Sequence, residues 1–157
     1  MNKINIVNGI FGQPFFEGLP GFGTSISHCN NEGIAIVFEQ KYLMGIDICS
    51  PEDAESIFST FGEKDANVAL AWTMQEALSK AISTGITVPL EILSPHNIQQ
   101  IHSHTFRSEY INFPQYQSIA WIDDTYIVAV CYPRNLILNK IFTKSEKKSQ
   151  TGLILTR

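Results

Sequence analysis

Three residues of the 157-residue chain have side chains suited to binding a metal ion and a phosphate group. Asp47 lies in the apolar stretch Leu43–Cys49 (LMGIDIC), which predicts a buried β-strand. Because an unpaired buried carboxylate is costly to desolvate, Asp47 either accepts turn hydrogen bonds at a strand end or binds a cation. Glu76 and Lys80 are four residues apart and share one face of a predicted helix. Converging with Asp47, they would suit Mg²⁺ and a phosphate; alone, they would form an ordinary ion pair.

A long helix and a short one are predicted in the middle of the chain. The apolar positions between Val68 and Ile82 approximate a 3.6-residue stripe, which predicts a helix from Asp65 or Ala66 to about Ser83. Gly85 would end this helix. Ser50 is a favourable N-cap and is followed by a proline, which predicts a short helix that runs to about Phe61.

The rest of the chain is rich in β-branched and aromatic residues, which favour strands. The glycine-rich first 23 residues are typical of loops, with one short strand at Ile4–Val7. The other strands are predicted at Thr24–His28, Gly33–Glu39, Tyr42–Ile48, Val88–Leu93, Ile98–Phe106, Gln117–Ile122 and Tyr126–Tyr132. The two strands on either side of Gln40-Lys41 are expected to form a hairpin, and Asp123-Asp124 a turn. The predicted fold class is α+β: an antiparallel sheet packed with one long and one short helix.

Length and composition indicate a single globular domain over residues 1–157. The net charge of −4 argues against nucleic acid or an anionic membrane as the partner, and no apolar run is long enough to span a membrane. The cluster KSEKK begins a segment, residues 144–157, that is expected to be a solvated and flexible basic tail. The three cysteines lack CxxC spacing and no secretory signal is evident, so a cytoplasmic protein with reduced thiols is expected.

His102 and His104 are a second candidate for metal binding. In a strand they would project from the same face, and an HxH pair can bind zinc. The sequence shows no matching third ligand, so a polar strand face is favoured instead.

Four short motifs suggest a known family by their order and spacing. They are Gly12-Gln13-Pro14, Ser27-His28, Gly45–Ile48 (GIDI) and Trp72–Lys80 (WTMQEALSK). Each motif alone is unspecific, but together they resemble those of the 4′-phosphopantetheinyl transferase superfamily, in particular its surfactin-type branch. The resemblance extends from about Gly9 to Pro133, because the last two predicted strands are similar to the family's closing strand pair.

The resemblance implies an Mg²⁺-dependent transfer of the phosphopantetheine arm of coenzyme A to a serine of an acyl or peptidyl carrier protein. Asp47 and Glu76 would bind Mg²⁺, and Lys80 would contact the pyrophosphate. Glu76 could also accept the serine proton, directly or through a water molecule. His28 would contact the 3′-phosphate of coenzyme A, and Ser27 and Gln13 would contribute to the same cofactor site.

The sequence departs from the family pattern in ways that bear on activity. Cys49 occupies the position where many relatives have a third carboxylate, which a water molecule can replace. Gln13 and Gln75 stand where lysines would be, so two cations that would attract the polyanionic coenzyme A are absent.

Most of the N-terminal half of surfactin-type enzymes also has no counterpart in this sequence. Self-association or a partner subunit could supply that half. A non-catalytic homologue that acts as a binding or assembly module is the alternative to an active transferase.

Overall fold

The computed structural model describes residues 4–10, 12–50, 52, 66–122, 125–138, 142–144 and 150–153. Two helices have defined bounds in these ranges, α1 (Ala66–Ala81) and α2 (Leu90–Leu93), with a 3₁₀ turn at Gly85–Thr87 between them, and Glu52 is also helical. The strands are β1 (Ile6–Asn8), β2 (Pro14–Phe16), β3 (Phe22–Cys29), β4 (Glu32–Glu39), β5 (Gly45–Cys49), β6 (Pro95–His102), β7 (Thr105–Tyr110), β8 (Tyr116–Ile122), β9 (Ile127–Pro133), β10 (Phe142–Lys144) and β11 (Gln150–Leu153).

The strands of the described residues form two sheets. A six-stranded sheet has the order β1-β2-β3-β4-β11-β10, and a five-stranded sheet has the order β5-β9-β8-β7-β6. Neighbouring strands are antiparallel except β4 and β11, which are parallel. The predicted α+β class and the long helix are confirmed, with two sheets where the sequence predicted one.

The five-stranded sheet lies between α1 and the six-stranded sheet. One face of β5 and β9, with Cys49 and Cys131, belongs to a core that also contains Leu70, Met74 and Leu78 of α1. The other face belongs to a second core, shared with the six-stranded sheet, formed by Ile34, Ile36, Phe38, Met44, Ile46, Ile48, Val130 and Tyr132. Alternation along β5 therefore sends odd-numbered residues toward α1 and even-numbered residues toward the other sheet.

The predicted hairpin between β4 and β5 is wrong. β4 pairs instead with β3, through a turn in which Asn30 adopts φ 54°, a conformation that asparagine tolerates better than most residues. The segment after Lys41 carries the chain to the other sheet, where β5 pairs with β9. Alternating hydrophobicity identifies each strand but does not identify its neighbour.

Two further predicted strands differ from the structure. Val88–Leu93 contains the helical turn α2, because a short apolar run has no periodicity that separates strand from helix. Ile98–Phe106 is not one strand but parts of β6 and β7, which reverse at His104 with φ 57°. His104 therefore lies in a turn, so the expected alternation that would place it on the same strand face as His102 does not apply.

Two predictions fall on residues that the structure does not describe. The short helix predicted from Ser50 to Phe61 lies, apart from Ser50 and Glu52, outside the described residues, as does the turn at Asp123-Asp124. Within the segment 144–157, Lys144 ends β10 and Gln150–Leu153 forms β11, which pairs with β4.

Candidate active site

Gly45 allows β5 to approach α1 closely. A Cβ atom at this position would overlap the carbonyl oxygen of Ala77 and lie 2.6 Å from the amide nitrogen of Ala81. Both helix residues are themselves small, so the two backbones meet without intervening side chains. Asp47 follows two residues later on the same face of β5 and therefore points toward the helix that carries Glu76 and Lys80.

The Asp47 carboxylate is buried, with a side chain 9% exposed, and two donors compensate its charge. Lys80 Nζ lies 2.6 Å from Asp47 Oδ1, and Ser27 Oγ donates to the same oxygen at 2.7 Å. Within the described part of the chain, both hydrogen bonds to this side chain end on Oδ1, which leaves Oδ2 for a further ligand. Ser27 comes from β3, so three separate elements meet at Asp47.

Glu76 is the second carboxylate of the site. Burial first, and then the negative charge of Asp47, raise the pKa of its carboxyl group, and the positive charge of Lys80 lowers it; together they leave this pKa at about 6. The influence of Asp47 shows that the two carboxylates share one electrostatic environment. A cation beside both would favour their ionised forms.

Cys49 fills the position of the expected third carboxylate. Its thiol is buried in the core beneath α1 and donates to the carbonyl oxygen of Ser50 at 3.2 Å. Among the described residues, no group of three or more histidine, cysteine, aspartate or glutamate side chains converges on a metal position. Asp47 and Glu76 each offer carboxylate oxygens, the ligand type that Mg²⁺ prefers when water and substrate oxygens complete its octahedron.

A family model identifies the superfamily of the chain. The model is described as the 4′-phosphopantetheinyl transferase superfamily, and it matches residues 38–131, more than half of the chain. The chain belongs to this superfamily. The superfamily transfers phosphopantetheine, generally from coenzyme A to carrier proteins with a divalent metal, and membership supports that general activity here. A search of curated proteins finds no significant match.

The superfamily match includes Asp47, Glu76 and Lys80 but begins after the other predicted cofactor-binding residues. Ser27 faces Asp47, as described above, whereas His28 is exposed on the opposite face of β3. The structure therefore brings Ser27 to the carboxylates and directs His28 away from them.

Gln13 lies at an open cleft of about 730 Å³ that reaches Lys80. Loop residues near Gln13, residues 22–26 of β3 and the C-terminal end of α1 form its walls, and Lys80 is the only charged residue among the described residues that line it. Most of the lining is apolar and includes Phe15, Phe16 and Phe38.

Gln75 has a different environment from the other motif residues. Its side-chain amide donates to the carbonyl oxygen of Leu90 at 3.2 Å and to Ser94 Oγ at 3.1 Å. These bonds join α1 to the segment around α2. In this member of the superfamily, the glutamine in place of lysine therefore ties two helices together.

The sequence did not predict the way in which β3 supports β5. Alternate residues of β3, Ser25, Ser27 and Cys29, accept hydrogen bonds from backbone amides of the β5 segment. One feature of the sequence could have indicated this support: small polar side chains occupy every second position of a strand that also contains apolar residues. No helix of the described residues is long and apolar enough to cross a membrane.

Proposed function

We propose that this protein transfers the 4′-phosphopantetheine arm of coenzyme A to a serine of an acyl or peptidyl carrier protein in an Mg²⁺-dependent reaction. The observation that carries the proposal is that Asp47 of β5 pairs with Lys80 of α1 and acts electrostatically on Glu76, while Lys80 also lines a cleft. Their donor chemistry fits Mg²⁺, with Asp47 and Glu76 as ligands. Bound there, Mg²⁺ would neutralise charge on the pyrophosphate oxygens.

The residues of the chain have separate tasks in this reaction. Lys80 binds a pyrophosphate oxygen and stabilises the charge that develops during transfer. The carrier-protein serine attacks the β-phosphorus: its oxygen forms a bond to phosphorus while the bond to the bridging oxygen breaks. Adenosine 3′,5′-bisphosphate leaves with that bridging oxygen. Glu76 accepts the serine proton, directly or through a water molecule.

The coenzyme A site of this proposal extends from Lys80 along the cleft to Gln13. Ser27 and His28 remain proposed contacts of the nucleotide end, although His28 would need coenzyme A to reach the outer face of β3. Membership of the surfactin-type branch would agree with the four motifs, and the three reduced cysteines would suit the cytoplasm.

A second candidate, a non-catalytic module that binds a ligand or a partner, is favoured by one observation. Lys80 is the only charged residue among the described residues lining the cleft, and its ammonium group is already paired with Asp47. A polyanion would meet few cations there, so capture of coenzyme A would be weak.

Intact-mass spectrometry of apo carrier proteins tests the proposal. Incubation with the protein, coenzyme A and Mg²⁺ should add the mass of one phosphopantetheine, and a chelator should prevent the addition.

Asp47→Ala and Glu76→Ala should each reduce the rate by at least about 100-fold, the loss expected when a transition-state contact is removed. Glu91→Ala, which removes an exposed carboxylate from α2, is the matched control and should keep the activity. Full activity in either site variant would contradict the assignment of that residue. If coenzyme A binds but no carrier gains mass, the binding module is favoured.

A further inference from the structure

The free edge of β5 is completed by side chains instead of a neighbouring strand. β5 pairs with β9 on one side, and the sheet ends on the other. On that side the amide of Ile46 donates to Ser25 Oγ at 3.1 Å and the amide of Ile48 donates to Ser27 Oγ at 3.4 Å. The next alternate amide, that of Ser50, donates to Cys29 Sγ at 3.1 Å. Three side chains of β3 thus satisfy amides that would otherwise be buried without partners.

Ser27 differs from its two neighbours in this ladder. Its hydroxyl group accepts from Ile48 and also donates to Asp47 Oδ1 at 2.7 Å, in a site where Ser27 is only 5% exposed. A hydroxyl has one proton, and Asp47 uses it. Lys80 approaches the same carboxylate oxygen from α1. Asp47 is therefore held at Oδ1 from two sides, one contact coming from a flexible lysine and the other from a short, buried side chain.

We propose that Ser27 is a positioning residue that orients the Asp47 carboxylate so that Oδ2 faces the cation. The proposal rests on the metal site of the proposed function, and it gives Ser27 a task other than contact with coenzyme A. Carboxylates that bind metals are themselves fixed by hydrogen bonds, and loss of such an outer partner typically weakens metal affinity. Without the Ser27 proton, the carboxylate could rotate about its last side-chain bond, and the metal would have to select one of several orientations.

Two substitutions separate this task from the support of β5. Ser27→Cys keeps a side chain of similar size and an acceptor for Ile48, as Cys29 shows two residues further along the same strand. A thiol is a weak donor, so the bond to Asp47 is the contact that suffers. Ser25→Ala is the matched control, because it removes a rung of the same ladder and Ser25 makes no hydrogen bond to Asp47 within the described residues.

The measurement is the affinity of each purified protein for Mn²⁺ alone, a spectroscopic substitute for Mg²⁺, from the free-ion signal in electron paramagnetic resonance. Thermal unfolding of the same samples reports the support of β5. We expect Ser27→Cys to weaken Mn²⁺ binding by about 10- to 100-fold, with a small change in unfolding temperature. Ser25→Ala should lower the unfolding temperature and keep the wild-type Mn²⁺ affinity.

The outcomes distinguish the positioning role from the metal site itself. If the wild type binds Mn²⁺ and Ser27→Cys binds it equally well, the positioning role is overturned while the metal site stands. Equal weakening by Ser25→Ala and Ser27→Cys would also overturn it, because the ladder as a whole would then be responsible. If the wild type binds no Mn²⁺, the proposed metal site fails, and the positioning role fails with it.

Discussion

At the scale of single residues, the site depends on how a buried carboxylate is compensated. Asp47, Glu76 and Lys80 could be selected from the sequence by residue type, motif and helical spacing. Their contacts could not be predicted, because Lys80 forms its ion pair with Asp47, 33 positions away along the chain, and not with the glutamate one helical turn away that the sequence spacing favours. The contact between Ser27 and Asp47 likewise depends on the packing of two sheets, which no local pattern encodes.

The raised pKa of Glu76 predicts a pH-dependent stability of the metal-free protein. Folding raises this pKa from 4.5 to about 6, so the folded state binds the proton more tightly than the unfolded chain. Protonation of Glu76 therefore stabilises the folded state below pH 4.5, and this contribution to the free energy of unfolding is lost as the pH rises through 6. Glu76→Gln, which cannot ionise, should therefore stabilise the metal-free protein at pH 7.5 by about 1 kcal/mol, allowing for the partial exposure of the side chain.

Chemical unfolding of wild type and Glu76→Gln at pH 7.5 and at pH 4 measures this difference. The stabilisation should vanish at the lower pH, and Mg²⁺ should stabilise the wild type but not Glu76→Gln. Glu91→Gln, an exposed substitution with the same change in charge, is the control: its stability should match the wild type at both pH values, and Mg²⁺ should still stabilise it. A difference between wild type and Glu76→Gln that is equal at both pH values would contradict the assigned environment of Glu76.

At the scale of elements, the sequence predicts where the long helix and several strands lie, but not which strands lie side by side. The long helix and the strands β8 and β9 follow the sequence closely, because the helix has apolar residues at roughly helical spacing and the two strands are rich in β-branched and aromatic residues. The hairpin assigned to β4 and β5 failed because the chain leaves one sheet for the other at that point. Proximity along the chain favours pairing, but burial of β5 on both faces, between α1 and the six-stranded sheet, decides its position.

Gly45 is the position where the approach of α1 to β5 can be tested. Gly45→Ala places a methyl group against backbone atoms of Ala77 and Ala81, which cannot turn aside as a flexible side chain would. The helix must shift, and overpacking of this kind typically costs about 1–3 kcal/mol. The same shift should separate Lys80 from Asp47, so Mn²⁺ affinity should change together with stability.

Thermal and urea unfolding measure the loss of stability. Gly33→Ala is the matched control, because Gly33 also lies in a strand but a Cβ atom there meets open space. We expect this control to leave stability and Mn²⁺ affinity close to wild type. Equal unfolding curves for the two variants would show that β5 and α1 are not in backbone contact at Gly45.

At the scale of the whole molecule, the exposed apolar side chains are concentrated in one sheet. Among the described residues, most of the large exposed hydrophobic side chains precede β5, and five belong to strands of the six-stranded sheet: Ile6, Phe15, Phe22, Ile26 and Val37. On the outer face of β3 and β4, Ile26 lies opposite Ala35, and Val37 lies opposite Thr24. These four residues carry no charge, and the charged Glu39 lies at the end of the face, opposite Phe22. The centre of the face can therefore meet a second copy of itself without electrostatic repulsion.

We expect this face to pair two chains in solution, and size-exclusion chromatography with light scattering tests the expectation. The wild type should have at least twice the chain mass of 17.6 kDa. Val37→Asp places a charge in the centre of the face and should return the protein to a monomer, since an unpaired charge buried in an interface is strongly unfavourable. Ile111→Asp, at a side chain 69% exposed beyond the end of β7 in the other sheet, is the control and should leave the larger mass unchanged. A wild-type mass of 17.6 kDa would show that the chain is a monomer and that a second copy does not bind this face.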